Sequence, residues 1–248
     1  MDSRDCRILF LFLLPAVAIG LKLPNYLVAC RRSDPKLDEC VVKHGQDAIP
    51  KILGGDPKYR APKLEPMDIT ELRVNQGTKQ VGLKMILRNA KLYGMKNTKF
   101  LKAKTDLKKR QIEWTFKVPR VEIIGDYEVN GQVLILPITG TGKANVTITE
   151  LDIVYKYEWD LVKKNGKEYM NFTKSKIDFN NGRTYFDLKN LFNGDQFLGN
   201  NMNRFLNENW KEVTKELGPA VGQAFSDLFR NLLTNVAAQV PYNEIYLP

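Results

Sequence analysis

Histidine is almost absent from this chain: His44 stands alone among 248 residues. Catalysis through a Ser-His-Asp or Cys-His arrangement would have to run through that one side chain. Serine is nearly as scarce. Beyond Ser3 there are only Ser33, Ser175 and Ser226, and none sits in the Gly-x-Ser-x-Gly context of a nucleophile elbow. Cysteine is limited to Cys6, Cys30 and Cys40; with Cys6 in the segment read below as removed, two thiols and the lone His44 do not complete a tetrahedral metal site. Long hydrophobic runs are also missing. The longest, Ile8 to Gly20, would make a helical rod of roughly 20 Å, short of a ~30 Å hydrocarbon core. No catalytic residue, metal or cofactor is expected.

That single run has the anatomy of an export signal. Arg4 and Arg7 precede it, and Ala18 and Gly20 supply the small residues that signal peptidase reads, so residues 1–20 read as a signal peptide and 21–248 as the mature domain. Removal takes Cys6 away. Cys30 and Cys40 are left, and an oxidising compartment favours their pairing. Two sequons, Asn145-Val146-Thr147 and Asn171-Phe172-Thr173, are expected on outer surfaces of an extracellular protein.

Charge is plentiful and of one sign, with a net of +10 that survives processing. The densest cluster is Lys99, Lys102, Lys104, Lys108, Lys109 and Arg110. No aromatic residue interleaves from Lys102 to Arg110, so nucleic acid is not an expected partner. A solvated hairpin is the default; docking on an anionic membrane or glycan surface is the alternative.

Three regimes of periodicity follow the leader. Ser33 or Asp34 can cap a helix in which Pro35 fits the first turn and Leu37, Cys40, Val41 and His44 recur at helical spacing. Gly54 to Pro57, Pro62 and Pro66 then mark a turn-rich crossing. From about 67 to 190 the period is two. Val81, Leu83, Met85 and Leu87 share a face, as do Trp114, Phe116 and Val118, and as do Leu151, Ile153, Tyr155, Tyr157, Trp159 and Leu161. These patterns predict antiparallel strands with one apolar face. Asn75-Gln76-Gly77 signals a turn; Asn130-Gly131, Asn165-Gly166 and Asn181-Gly182 suit tight hairpins. Asn145 alternates with Ala144 and Val146, onto the wet face. Between Ile148 and Leu151 the apolar parity flips, which predicts a bend near Thr149-Glu150. Finally, Met202, Phe205, Leu206, Trp210, Val213, Leu217, Val221, Phe225, Leu228, Leu232 and Val236 describe one long helix from about Asn201 to Gln239, kinked or split at Gly218-Pro219. Its stripe is too wide for a surface helix, which suggests a sheet wrapped around it.

Four stretches carry a family resemblance: Cys30 with Asp34-Pro35 and Cys40; the crossing Pro57-Lys58-Tyr59-Arg60-Ala61-Pro62 to Met67; Tyr127-Glu128-Val129-Asn130-Gly131 leading into Leu134 to Gly142; and Asn203-Arg204-Phe205-Leu206-Asn207-Glu208-Asn209-Trp210 running on to Pro219 and Val240-Pro241-Tyr242. With these the chain resembles the insect takeout and juvenile-hormone-binding proteins over essentially all of its mature length, departing at Gly55-Asp56-Pro57. The resemblance implies an α+β, TULIP-like fold, with a long C-terminal helix wrapped by a highly curved antiparallel β-sheet around an internal hydrophobic tunnel. It implies a secreted monomeric carrier in haemolymph or another extracellular fluid, with a terpenoid hormone, fatty acid or related lipophile as ligand and at most transient membrane or receptor contact. Trp114, Phe116, Tyr157 and Trp159 from the strands, with Phe205, Phe225 and Phe229 from the helix, are the expected wall; each could equally fill a solid core. Enclosing roughly 400 Å² of apolar ligand surface gives on the order of 10 kcal/mol before association costs.

Overall fold

The computed structural model describes residues 20–77 and 82–248. The leader, Gly20 apart, lies outside the described residues, as does Val81. The chain opens with β1 (Cys30–Arg31) and α1 (Leu37–Ile52), joined by the Cys30–Cys40 disulfide with Cα atoms 6.0 Å apart. There follow β2 (Met67–Gly77), β3 (Gly82–Tyr93), β4 (Lys99–Asp106), β5 (Gln111–Val133), β6 (Leu136–Lys164), β7 (Lys167–Asn180) and β8 (Arg183–Leu188). The C-terminal part is α2 (Gln196–Glu208), α3 (Trp210–Ala237), α4 (Tyr242–Ile245) and β9 (Tyr246–Leu247), the last paired in parallel with β1.

Two strands organise the sheet. β5 and β6 are 23 and 29 residues long, and β5 pairs along its whole length with Leu136 to Glu158 of β6. At one end they are flanked by β2 and β3 on one side and β8 on the other; at the other end they are flanked by β4 and β7. The change of flank coincides with the expected bend. On β6 the inward residues are Ala144, Val146 and Ile148 before Glu150 and Leu151, Tyr155, Tyr157 and Trp159 after it, and Glu150 itself takes a left-handed φ of 51°. β5 switches parity at the same level, from Ile112 and Val118 to Val121, Ile123 and Tyr127. Two neighbouring strands that each spend an extra residue at one level turn the sheet as a unit, and it curls around α3.

Two turn signals resolve differently from expectation. Asn181-Gly182 is no hairpin, because β7 and β8 lie end to end on the same side of β6. The register runs on across the gap: Asp152 faces Asn180 and Thr149 faces Arg183. The dipeptide is the bend of this third strand, opposite Glu150. Asn130-Gly131 is also internal to a strand. Gly131, at φ 136°, sits where a Cβ would meet the Gly82 carbonyl oxygen at 2.0 Å, so the glycine serves a close approach of β3 to β5. The reversal comes later, between Val133 and Leu136. Asn165-Gly166 does form the expected tight turn, with both residues at positive φ.

The C-terminal helix also differs. It breaks at Asn209 (φ −103°, ψ 28°) into α2 and α3, and α3 runs through Gly218-Pro219 without splitting. The break lets α2 lie along the free edge of β8. There Asn203 and Asn207, one turn apart, each receive a backbone N–H and return a side-chain N–H: Leu188 N and O with Asn203 (2.9 Å each), Phe186 N and O with Asn207 (3.0 and 2.7 Å). Two asparagines thus stand in for the next strand and close an exposed edge.

α3 lies close on β7. A Cβ at Gly222 would be 2.4 Å from the Ile177 carbonyl oxygen, and one turn on the fully buried Ser226 bonds Ser175 on β7 at 2.6 Å. On the outer face, charges pair across strands: Glu113 lies between Lys104 and Lys156, and Arg88 reaches both Glu71 and Glu128. Within the basic cluster Lys104, Lys109 and Arg110 are in ion pairs on the exposed β4–β5 hairpin, so a solvated hairpin is what these residues form.

Candidate functional site: an apolar interior between sheet and helix

The interior divides at the bend. At the β4–β7 end it is filled by aromatic rings. Trp114 stands edge-on to Tyr157 (centroids 4.9 Å apart), Phe100 lies 4.6 Å from Phe116, and Tyr157 packs 5.0 Å from Phe172 beside the buried Trp159. Burial pushes the Tyr157 hydroxyl well above its ordinary pKa, and that of Tyr155 up to about 12. These rings make a packed plug.

At the other end space remains. A cavity of about 140 Å³ lies between α3 and the β2, β3, β5, β6 and β8 strands. Its wall is mostly aliphatic, with Leu72, Leu83, Met85, Val146, Ile148 and Val221 characteristic of it, and it includes Phe179, Phe186 and Phe225. A second cavity of about 90 Å³ lies at the bend, bordered by Val118, Leu151, Ile177, Gly222 and Phe229. Ile123, Ile148, Phe179, Val221 and Phe225 belong to both walls. Such a dry, concave, apolar space suits a lipophilic occupant.

Of the seven aromatics expected in the wall, the structure brings only Phe225 and Phe229 to the cavities. Trp114, Phe116, Tyr157 and Trp159 are on the inner face as expected but belong to the plug, and the half-buried Phe205 points its packing at the core beside its neighbour Leu206, which does line the larger cavity. The wall residues that this list omits carried a signal. Leu83, Met85, Val146 and Ile148 are on the inward parity of their strands, which is the feature that marks them in the sequence.

The serines and the histidine are spread over the described residues. Ser175 and Ser226 bond each other at the β7–α3 contact, and His44 lies on α1. Among the described residues no group of His, Cys, Asp or Glu is placed to hold a metal ion, and no helix is long and apolar enough to cross a membrane. The two sequons differ in setting. Asn171 is exposed on β7, whereas Asn145 is half-buried between β5 and β8 with its amide donated to Glu122 at 2.9 Å.

A curled antiparallel sheet closed on a long C-terminal helix around an apolar interior defines a protein of the wrapped-helix type. The chain matches the haemolymph juvenile hormone binding protein (JHBP) family over residues 9–247, and it belongs to that family. It is 27% identical over 231 residues to the circadian clock-controlled protein daywake of Drosophila yakuba, covering 90% of this chain and 88% of that one. The Drosophila melanogaster daywake is 25% identical over the same span. Among solved structures it is similar to Takeout 1 of Epiphyas postvittana, at 30% identity and a TM-score of 0.75, covering 89% of this chain and 99% of the other.

Proposed function

We propose that this chain is a secreted carrier that holds one small lipophilic molecule in the paired cavities between α3 and the sheet. The observation that carries the reading is the wall: aliphatic side chains from six strands and two helices enclose space that the packed end of the same molecule fills with rings. Membership of a family named for hormone binding supports it. Export rests on the leader, residues 1–20, and the disulfide is in keeping with it. The shared side chains Val221 and Phe225 are the ones that would turn to join the cavities around a longer ligand, since rotamer changes are far easier than backbone ones. The domain, residues 21–248, acts as a single unit, with Asn171 the better placed of the two sequons for a glycan.

Organic extraction of the native protein followed by mass spectrometry should recover a lipophile in stoichiometric amount. A protein that extracts clean, and that also takes up no fluorescent acyl probe, would end this reading.

A further inference from the structure

Three spaces meet at Phe179, near the end of β7. Its half-buried side chain lines the larger cavity, the smaller cavity and a groove of about 580 Å³ on the outer surface beside α3. No other described residue borders all three. Thr214 and Gly218 of α3 are common to the groove and the larger cavity, and Ile177 of β7 to the groove and the smaller one.

α3 is fastened to the sheet on both sides of this point. Beyond it, Gly222 is pressed on the Ile177 carbonyl, Ser226 bonds Ser175 at 2.6 Å, and Arg230 donates to the Thr173 carbonyl at 3.1 Å. Before it, the hydroxyl oxygens of Thr184 and Thr214 lie 3.3 Å apart. Thr214 to Gly222 spans about 12 Å of helix. Over that stretch no hydrogen bond or ion pair among the described residues joins α3 to β7 or β8.

The sequence also thins the helix here. Gly218 carries no side chain, and a Cβ placed on it would meet only the tip of the Phe179 ring, at 3.8 Å. Pro219 has no N–H for the Lys215 carbonyl, so this turn of α3 is held by one bond fewer and bends more easily. Gly218-Pro219 does not break the helix, but it leaves a bare, weakened turn over the unfastened stretch. The two ends of the interior are better closed. Packed rings fill the β4–β7 end, and at the other the Leu134 N–H ties the β5–β6 turn to Glu216 of α3 at 3.2 Å.

We propose that the seam between β7 and α3 at Phe179 and Gly218 is the mouth of the ligand site, and that the Phe179 ring closes it. The ligand passes sideways from the groove into the cavities while the ring turns outward, a rotamer change that no strand has to follow. Val154, Trp210 and Pro219 give the groove apolar surface for the first contact. The proposal rests on the carrier reading and adds the route of entry to it.

A residue that closes a mouth acts on the barrier, so the test reads rates. Stopped-flow mixing of the delipidated full chain with a dansyl-labelled undecanoate gives association; transfer of the bound probe to phosphatidylcholine vesicles gives dissociation. Turning out a half-buried ring forfeits part of its packing, so Phe179→Ala should raise both rate constants by about tenfold and move the equilibrium constant far less. Gly218→Leu, which fills the space behind the ring, should slow both. Phe225→Ala is the contrast. That ring lines both cavities but not the groove, so its loss should speed dissociation and leave association alone. Phe179→Leu gives the same ordering if the alanine variant does not fold. Association unmoved by the Phe179 variants and by Gly218→Leu overturns the mouth, as does a Phe179→Ala protein that behaves like Phe225→Ala. An unaltered chain that takes up no probe overturns the carrier reading itself.

Discussion

Gly222→Ala separates two physical effects by sign. Helix propensity alone says that alanine in the interior of α3 should stabilise the protein by ~1 kcal/mol. The structure says the opposite. The new Cβ would stand 2.4 Å from the Ile177 carbonyl oxygen, a backbone atom that cannot swing aside. An ordinary carbon–oxygen contact requires α3 to retreat from β7 by about 1 Å. One turn further on, the Ser226–Ser175 bond of 2.6 Å would then stretch past the useful range, leaving the buried Ser226 hydroxyl without its half-buried partner. Overpacking costs ~1–3 kcal/mol and the lost bond ~1 kcal/mol, against ~1 kcal/mol gained in propensity. The net is a destabilisation of about 1–3 kcal/mol, read as a fall of about 1 M in the urea midpoint. Gly218→Ala, one turn earlier, is the control. A Cβ there meets only the Phe179 ring at an ordinary 3.8 Å, so that variant should be neutral to slightly stabilising. Because Gly222 borders the smaller cavity, the retreat should also weaken ligand retention in Gly222→Ala. A Gly222→Ala protein as stable as its parent would refute the close-approach argument.

Other consequences are as direct. Asn207→Ala removes both edge bonds to Phe186 and should cost about 2 kcal/mol in urea unfolding, with faster hydrogen exchange at the Phe186 amide than at amides of β6; unchanged exchange would show that the edge is not held by the side chain. Replacing Cys30 and Cys40 together by serine should cost about 2–3 kcal/mol from the short loop, measured as the difference between the two proteins under non-reducing conditions. Alkali should unfold the protein early. Burial pushes the hydroxyls of Tyr127 and Tyr155 up to about 12, so they stay neutral in the fold while unfolded tyrosine ionises near 10. Their contribution is complete below pH ~10 and is lost above it, by up to ~1.4 kcal/mol per pH unit for each ring; a urea midpoint flat between pH ~9 and ~11 would contradict this. Secreted from insect cells, the protein should lose glycan mass on Asn171→Gln and little or none on Asn145→Gln, judged by intact mass.

Much of the fold was legible because it is written in local periodicity. Alternation along β5 and β6, the parity flip at Thr149-Glu150 and the apolar stripe from Met202 to Val236 each follow from which residues must be dry, and a one-residue slip would put them in water. The tight turn at Asn165-Gly166 was readable for the same reason: its chemistry is local. Asn181-Gly182 and Asn130-Gly131 have the same local chemistry and do other work. The partner strands decide, since β6 spans the first gap in unbroken register and Gly82 crowds the second. Likewise Gly218-Pro219 signalled a break, yet the chain breaks at Asn209, where α2 must turn to cover the β8 edge.

What the sequence determined by itself was a wet face, a dry face and a greasy helix to be enclosed. Where the interior is full and where it is hollow was decided only in three dimensions. Trp114, Phe116, Tyr157 and Trp159 read as well as any candidates for a ligand wall, and they became a plug because β4 and β7 bring more rings against them. Aliphatic residues on the other side of the bend, too small to meet across the curl, leave the space. Hydrophobicity is a property of a residue, but a cavity belongs to the distance between residues far apart in the chain, and that distance is set by the curvature of the sheet.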